Sequence, residues 1–220
     1  MNIRRFIFGL LLTGGAGAID AVSFMRLGAV YASFMSGNTV QLGIHVGEGS
    51  FLPLLGFSTL IGLFMLGSFT GSIVTAKAGS RNLPVILALE VAALSVALLL
   101  DLRHGMPLAT TAPLAFAMGA QNHLVVMARG SNPGTTFVTG TAFRFADAVA
   151  QRALGRDPAG AWKLHLAVWM SFAVGASGGA VFQIGLREHA LAPILALLAL
   201  LLTVSLVAQL VRPGLLGSAS

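Results

Sequence analysis

The sequence has no cysteine and very little charge, and both absences exclude whole classes of protein. Without cysteine there is no disulfide framework, no thiolate metal site and no catalytic thiol. Only 9% of the 220 residues are charged, whereas a soluble domain carries roughly 25%. The motifs of serine hydrolases, zinc peptidases and nucleotide-binding loops are also missing. We therefore expect neither a soluble domain nor an enzyme, and no cofactor.

Long apolar runs take the place of charge. Hydrophobic residues make up 56% of the chain, and the mean hydropathy is +0.87. Several runs approach or exceed the roughly 20 apolar residues that cross a bilayer. These runs are residues 6–26, 52–76, 83–102, 107–128, 161–186 and 191–211. The composition predicts an all-α integral membrane protein with one membrane domain, residues 1–220, that has the lipid bilayer as its partner.

The basic residues give a net charge of +6, but they stand singly between the apolar runs. This placement is typical of a membrane-topology signal and not of a nucleic-acid patch, so we expect no nucleic-acid partner. The first run follows Arg4 and Arg5 and resembles a signal peptide. We interpret it as the first membrane helix, because residues 17–24 have a counterpart at 119–126.

The chain repeats itself after about a hundred residues. Gly17-Ala-Ile-Asp20 is matched by Gly119-Ala-Gln-Asn122, and Ser36-Gly37 is matched by Thr139-Gly140. A duplicated helical unit in an apolar chain is the common plan of secondary transporters and small-solute channels. The pattern predicts tandem repeats over about 6–102 and 107–211.

Two short polar segments, 33–47 and 135–153, decide the number of spans. If neither crosses, the chain has six spans and inverted repeats; if both cross, it has eight spans and parallel repeats. A cytoplasmic N-terminus then puts ten Lys and Arg residues inside against three outside for six spans, and seven against five for eight, with Arg144 set aside. Because Lys and Arg favour the cytoplasmic side, we expect six full spans. The short segments are then broken or re-entrant and meet near the centre.

The repeated polar residues are the candidates for a solute or ion pathway. Asp20 lies deep in the first run, where a carboxylate is costly unless it faces a cavity, an ion or a partner. Hydroxyl, amide and glycine residues permit helix breaks whose N–H groups can bind a solute. The predicted pathway residues are Asp20, Ser36, Gly37, Asn38, Thr39, Gln121, Asn122, Thr139, Gly140 and Thr141. Asp20, Glu90 and His123 are the candidate coupling groups, and no metal site is expected.

Every one of these residues also has a structural alternative, in which it only packs or bonds neighbouring helices. That interpretation is the plain one for Gly67-x-x-x-Gly71 and Gly175-x-x-x-Gly179, whose small faces predict close helix contacts. Arg144 and Asp147 lie three residues apart, and this spacing predicts an ion pair on one helix face.

The repeated motifs carry a family resemblance. Gly17-Ala-Ile-Asp20, Phe34–Thr39, Gly119–Asn122 and Thr136–Thr141 resemble the YoaK family, a bacterial family of inner-membrane proteins defined as a domain of unknown function. The resemblance extends over essentially the whole chain, with Ser36 where the family has threonine. It implies a multi-pass protein of the bacterial inner membrane, and it brings no substrate or activity.

The residues themselves therefore carry the functional prediction. They predict a membrane transport protein for an unidentified small solute or ion, either a channel or a secondary carrier that is proton-coupled through Asp20. The alternative is a membrane scaffold or accessory subunit whose polar motifs only hold helices together. A third and weaker interpretation is an intramembrane enzyme. A homo-oligomer is compatible with the first two.

Overall fold

The computed structural model describes residues 3–104, 107–124, 136, 138–156 and 160–211. Over these ranges the chain is helical and has no strands. The helices are α1 (Ile3–Arg26), α2 (Met35–Glu48), α3 (Phe51–Ala78), α4 (Asn82–His104), α5 (Pro107–Gln121), α6 (Val138–Ala153), α7 (Ala161–Leu186) and α8 (Ala192–Val211). Short 3₁₀ turns, Gly79–Arg81 and Arg187–His189, follow α3 and α7.

Five helices within the described residues are long and apolar enough to cross a membrane. They are α1 from Phe6 to Arg26, α3, α4 from Asn82 to Arg103, α7 with the turn that follows it, and α8. The prediction of an all-helical membrane protein is confirmed at this level. Of the five, α1 is the most buried by the other helices, which agrees with its interpretation as part of the bundle.

In the remaining predicted span, 107–128, the structure describes a helix over Pro107–Gln121 only. Helix α5 ends at Gln121 and has 15 residues, which cover about 22 Å at roughly 1.5 Å per residue. The hydrocarbon core of a bilayer is roughly 30 Å thick, and residues 125–130 lie outside the described part. Most residues of α5 are buried, so α5 is an interior helix packed between α3 and α4.

The two short polar segments form α2 and α6, with 14 and 16 residues. Both are continuous helices that carry the predicted motifs in their first turns. Helix α2 packs on α3 and α6 packs on α7, and over the described residues α2 and α6 do not pack extensively on each other. The expectation that the two segments meet near the centre is therefore wrong. Each short helix instead folds back on the long helix that follows it.

Helices α1 and α7 cross at almost backbone contact. A Cβ atom added to Gly175 would collide with the carbonyl oxygen of Gly14, and one added to Gly179 would collide with that of Ala18. Both positions advance by one helical turn in the same direction, so the two helices run parallel. Ser171 adds a hydrogen bond from its hydroxyl to the carbonyl oxygen of Leu10.

Helices α3 and α5 cross in the same manner. A Cβ atom on Gly67 would collide with the carbonyl oxygen of Phe116, and one on Gly71 with that of Ala120. This pair of helices is also parallel. The prediction that both small-residue motifs mediate close helix contacts is confirmed, because only glycine lets the backbones approach this far.

An ion pair joins the ends of α1 and α4. The Nε atom of Arg26 lies 2.9 and 2.7 Å from the carboxylate oxygens of Asp101. The Asp101 side chain is 3% exposed and the Arg26 side chain 25%. The pair places the C-terminal ends of α1 and α4 at the same end of the bundle.

Candidate functional site

Asp20 fastens the loop that connects α1 and α2. One carboxylate oxygen accepts a hydrogen bond of 2.7 Å from the backbone N–H of Ser33, and the other accepts one of 2.6 Å from the Ser33 hydroxyl. Asp20 and Ser33 are both buried. The loop needs such an anchor because Gly28 and Ala29 adopt positive φ angles of 86° and 59°, a conformation that alanine rarely takes.

Asn38 fastens the same loop from the other side. Its Oδ1 accepts a 3.0 Å hydrogen bond from the Tyr31 N–H, and its Nδ2 donates a 2.7 Å bond to the Tyr31 carbonyl. The ring of Tyr31 stacks on Phe24 and meets Phe34 edge-on, both at 5.1 Å between centroids. Burial raises the pKa of the Tyr31 hydroxyl, and the nearby Asp20 charge raises it further.

Gly37 makes room for this aromatic cluster. A Cβ atom there would come within 2.5 Å of the Phe34 ring and 3.0 Å of the Tyr31 ring. Its neighbours Ser36 and Thr39 are exposed, and the Thr39 hydroxyl donates to the carbonyl of Met35 one turn earlier. Of this motif, the structure therefore turns Asn38 inward, while Ser36 and Thr39 face outward.

The second half of the chain has an equivalent anchor at Asn122. Its Oδ1 accepts hydrogen bonds of 3.1 Å from the Thr136 N–H and 3.0 Å from the Thr136 hydroxyl. In the helix that follows, Thr141 is 1% exposed, Gly140 is partly buried and Thr139 is exposed. Residues 125–135 lie outside the described part.

Gln121 and His123 connect helices across the bundle. The Gln121 side chain is buried, and its Nε2 donates a 3.1 Å hydrogen bond to the carbonyl of Leu12 in α1. The His123 ring nitrogen Nε2 lies 3.0 Å from the Ser68 hydroxyl in α3. These contacts give both side chains a defined partner on a neighbouring helix.

Glu90 differs from all the other candidates. It is fully buried in α4, at 0% exposure, and neither carboxylate oxygen has a hydrogen-bond partner among the described residues. An ionised carboxylate without a partner in such a place costs several kcal/mol. Helices α4 and α5 are neighbours, and α5 begins three residues after α4 ends. Glu90 lies about 21 Å before the end of α4, and Gln121 lies about 21 Å after the start of α5.

The structure brings some predicted residues together and separates others. Asp20 and Asn38 hold the same loop, and Gln121 joins α5 to α1. The motifs of α2 and α6 are separated, because α2 packs on α3 and α6 packs on α7. Sequence reasoning missed Ser33, Tyr31 and Thr136, because a loop partner cannot be read from periodicity. It also missed the Arg26–Asp101 pair, although opposite charges that end two predicted spans were a usable signal.

A cleft of about 420 Å³ lies between α3, α4 and α5. Its walls are apolar, and they include Leu63, Leu89, Val96 and Phe116. None of the predicted pathway residues lines it. Its surface is suited to hydrocarbon and offers no polar group to orient a solute.

The chain belongs to a family of proteins of unknown function, DUF1275, whose sequence pattern matches residues 8–204. Membership confirms the coarse form of the resemblance, an uncharacterised family that covers nearly the whole chain, while the likeness to YoaK remains a resemblance of motifs. No curated protein and no solved structure matches the chain.

Proposed function

We propose that this protein is a membrane transport protein, a secondary carrier or channel for a small solute, in which a buried carboxylate binds the coupling proton or cation. The observation that carries the proposal is Glu90, a fully buried carboxyl group without an internal partner in the described structure. Intramembrane ionisable residues are costly and typically mark ion or substrate pathways.

A buried amide on the adjacent helix α5 supports the same function. Gln121 lies at about the same level on the adjacent helix, and its amide reaches the Leu12 carbonyl on α1. Carboxyl and amide oxygens are ligands of hard cations. Asp20 is another carboxylate within a spanning helix, but its oxygens are already bonded to Ser33. We therefore assign the coupling role to Glu90 first and to Asp20 second.

The proposed architecture is a pair of inverted repeats with six spans. The Arg26–Asp101 pair supports it, because α1 and α4 cross in the same direction in a six-span chain and in opposite directions in an eight-span chain. The α1–α7 and α3–α5 crossings support the repeats as well, since each joins the first helix of one repeat to the long helix after the short polar helix of the other. Exchange of this kind is typical of transporters built from repeats.

Reconstituted protein tests the proposal. Liposomes that contain a pH-sensitive dye would be exposed in turn to neutral, anionic and cationic small solutes, while internal pH and vesicle swelling are recorded. We expect at least one class of solute to give a protein-dependent signal. Glu90→Gln should abolish the coupled pH change, whereas Glu48→Gln, at an exposed position, should retain it.

Two results would contradict parts of the proposal. Signals equal to those of protein-free liposomes for every class of solute would reject transport. A normal signal in Glu90→Gln, Asp20→Asn and Asn38→Ala proteins that remain folded would reject the assigned residues while leaving transport intact.

The alternative function, a scaffold or accessory subunit, is favoured by one observation. The polar side chains of Asp20, Asn38 and Asn122 all bond to loops of the protein itself. Such bonds are what a purely structural role requires. The liposome measurement separates the two functions, because a scaffold moves no solute.

A further inference from the structure

Basic side chains gather where α6 meets the start of α7. The Arg152 guanidinium carbon lies 5.9 Å from the centroid of the Trp162 ring, and the Lys163 ammonium lies 5.7 Å from it. Arg144 lies two turns before Arg152 on α6 and is within electrostatic reach of His165 on α7. We call Arg144, Arg152, Trp162 and Lys163 the α6–α7 basic cluster.

Two hydrogen-bond donors of this cluster are buried without an acceptor. The Nη1 atom of Arg144 and the Nε1 atom of Trp162 are both shielded from solvent, and neither has a partner among the described residues. Buried donors are normally satisfied, and an indole N–H of an otherwise buried tryptophan usually finds an acceptor. Both N–H donors therefore lack an acceptor within the described structure.

No carboxylate of the described residues neutralises the cluster. The predicted Arg144–Asp147 ion pair is not among the ion pairs of the described structure. Asp147 instead accepts a 3.4 Å hydrogen bond from Gln151, one turn further along the exposed side of α6. The expected pair is therefore wrong, and the positive charge of the cluster faces no internal anion there.

Membrane topology explains only part of this arrangement. Lys and Arg gather on the cytoplasmic side of membrane proteins, and both span arrangements put Arg152 and Lys163 on that side. A topology signal requires hydrated charges, however, and does not require that a guanidinium nitrogen of Arg144 and the indole N–H of Trp162 are buried.

The first half of the chain shows that packing does not require the cluster either. When Gly67 is aligned with Gly175, Trp162 and Lys163 correspond to Leu54 and Leu55. When Ser36 is aligned with Thr139, Arg144 corresponds to Gln41. Helices α2 and α3 pack together there without a single Lys or Arg at those positions.

We propose that the α6–α7 basic cluster binds a phosphate group on the predicted cytoplasmic side. Arginine matches the oxygens of a phosphate with its fork of N–H donors, lysine adds a point charge, and the indole N–H adds one directed bond. Basic pockets between membrane helices on that side are known to suit phospholipid head groups. The phosphate belongs either to an anionic phospholipid or to a soluble phosphate, and the two are separated by experiment. This site is independent of the proposed transport function.

Trp162 supplies its own reporter for the test. The chain has only two tryptophans, so a Trp169→Phe background leaves Trp162 as the sole indole. Its fluorescence would be followed while the purified protein in neutral detergent is titrated with phosphatidylglycerol, phosphatidylcholine or inorganic phosphate. We expect saturable binding of an anion, about tenfold weaker in Arg144→Gln because a charge-assisted bond is lost. Arg103→Gln, an exposed arginine near the end of α4, is the matched control and should bind normally.

Each outcome of the titration supports or overturns the proposed phosphate site. Saturation by phosphatidylglycerol and not by phosphatidylcholine, with loss in Arg144→Gln, supports a lipid site. Saturation by inorganic phosphate with the same loss supports a site for a soluble phosphate. If neither anion saturates, or if Arg144→Gln and Arg103→Gln bind equally, the proposal is overturned. Lys163→Gln, at an exposed position, repeats the comparison if Arg144→Gln does not fold.

Discussion

Asp20 and Asn122 make the same two contacts in the two halves of the chain, with different chemistry. Each accepts a backbone N–H and a hydroxyl from one residue of the loop that follows it, Ser33 or Thr136. The carboxylate bonds are 2.7 and 2.6 Å long, whereas the amide bonds are 3.1 and 3.0 Å. The shared function of the position is to hold a loop, and the negative charge is an addition of the first half.

The pairs α2–α3 and α6–α7 show the opposite relation, with similar packing and different surfaces. In the first pair the His45 ring stacks on Phe57 at 5.5 Å. In the second, Arg152 and Lys163 approach the Trp162 ring. The comparison teaches that one helical framework carries an aromatic stack between its helices in the first half and basic side chains around an aromatic ring in the second.

The largest effect is expected where the two halves are most alike, at the glycine crossings. Gly67→Ala and Gly175→Ala should each destabilise the protein by about 3 kcal/mol, because the added methyl group collides with a backbone carbonyl that cannot rotate away. Thermal unfolding in detergent would measure both losses.

The same helices supply controls for these substitutions. A Cβ atom on Gly62 or Gly178 meets no atom within 4 Å, so Gly62→Ala and Gly178→Ala should be neutral or stabilising by up to about 1 kcal/mol. Sensitivity at only one of the two crossings would show that the halves are not held together in the same way.

A smaller effect should distinguish the two loop anchors. Asp20→Ala should cost about 2 kcal/mol and Asn122→Ala about 1 kcal/mol, because hydrogen bonds to a charged acceptor are shorter and stronger than those to an amide. Unfolding temperatures of the two variants would be compared at one pH.

Asp20→Asn sharpens this comparison, because it places an amide in the first half at the position where Asn122 stands in the second half. It should behave like the unaltered protein or lose no more than Asn122→Ala does. Equal losses in Asp20→Ala and Asn122→Ala would mean that the charge contributes nothing to holding the loop.

The smallest effect on stability is expected for cysteine substitutions that test the direction in which the helices cross the membrane. Single cysteines at Met25, Arg81 and Arg103, all exposed, should leave stability unchanged in this cysteine-free chain. An impermeant thiol reagent should label Met25→Cys and Arg103→Cys from one side and Arg81→Cys from the other, because Arg26 and Asp101 are paired. Labelling of Met25→Cys and Arg103→Cys from opposite sides would contradict the six-span arrangement.

Some of the candidate site could be predicted from the sequence, and the limits are physical. Asp20, Asn38 and Asn122 stood out because polar groups in apolar runs must find partners, and each has one. Their partners were not predictable, because Tyr31 and Ser33 lie in an irregular loop whose path depends on backbone angles such as those of Gly28 and Ala29, and Thr136 lies before the start of α6. Arg144 was assigned to Asp147 by helical spacing, but in the described structure Asp147 accepts a hydrogen bond from Gln151 instead.

The sequence by itself determined that the chain is an all-helical membrane protein and which glycines bring helices together. Hydrophobicity and small-residue spacing are local properties, and burial in lipid leaves the backbone few alternatives to a helix. Only the tertiary structure decided that α2 and α6 fold back on separate helices, that Arg26 meets Asp101, and that Glu90 is enclosed without a partner. These outcomes depend on which helix faces lie against one another, and no local pattern encodes that choice.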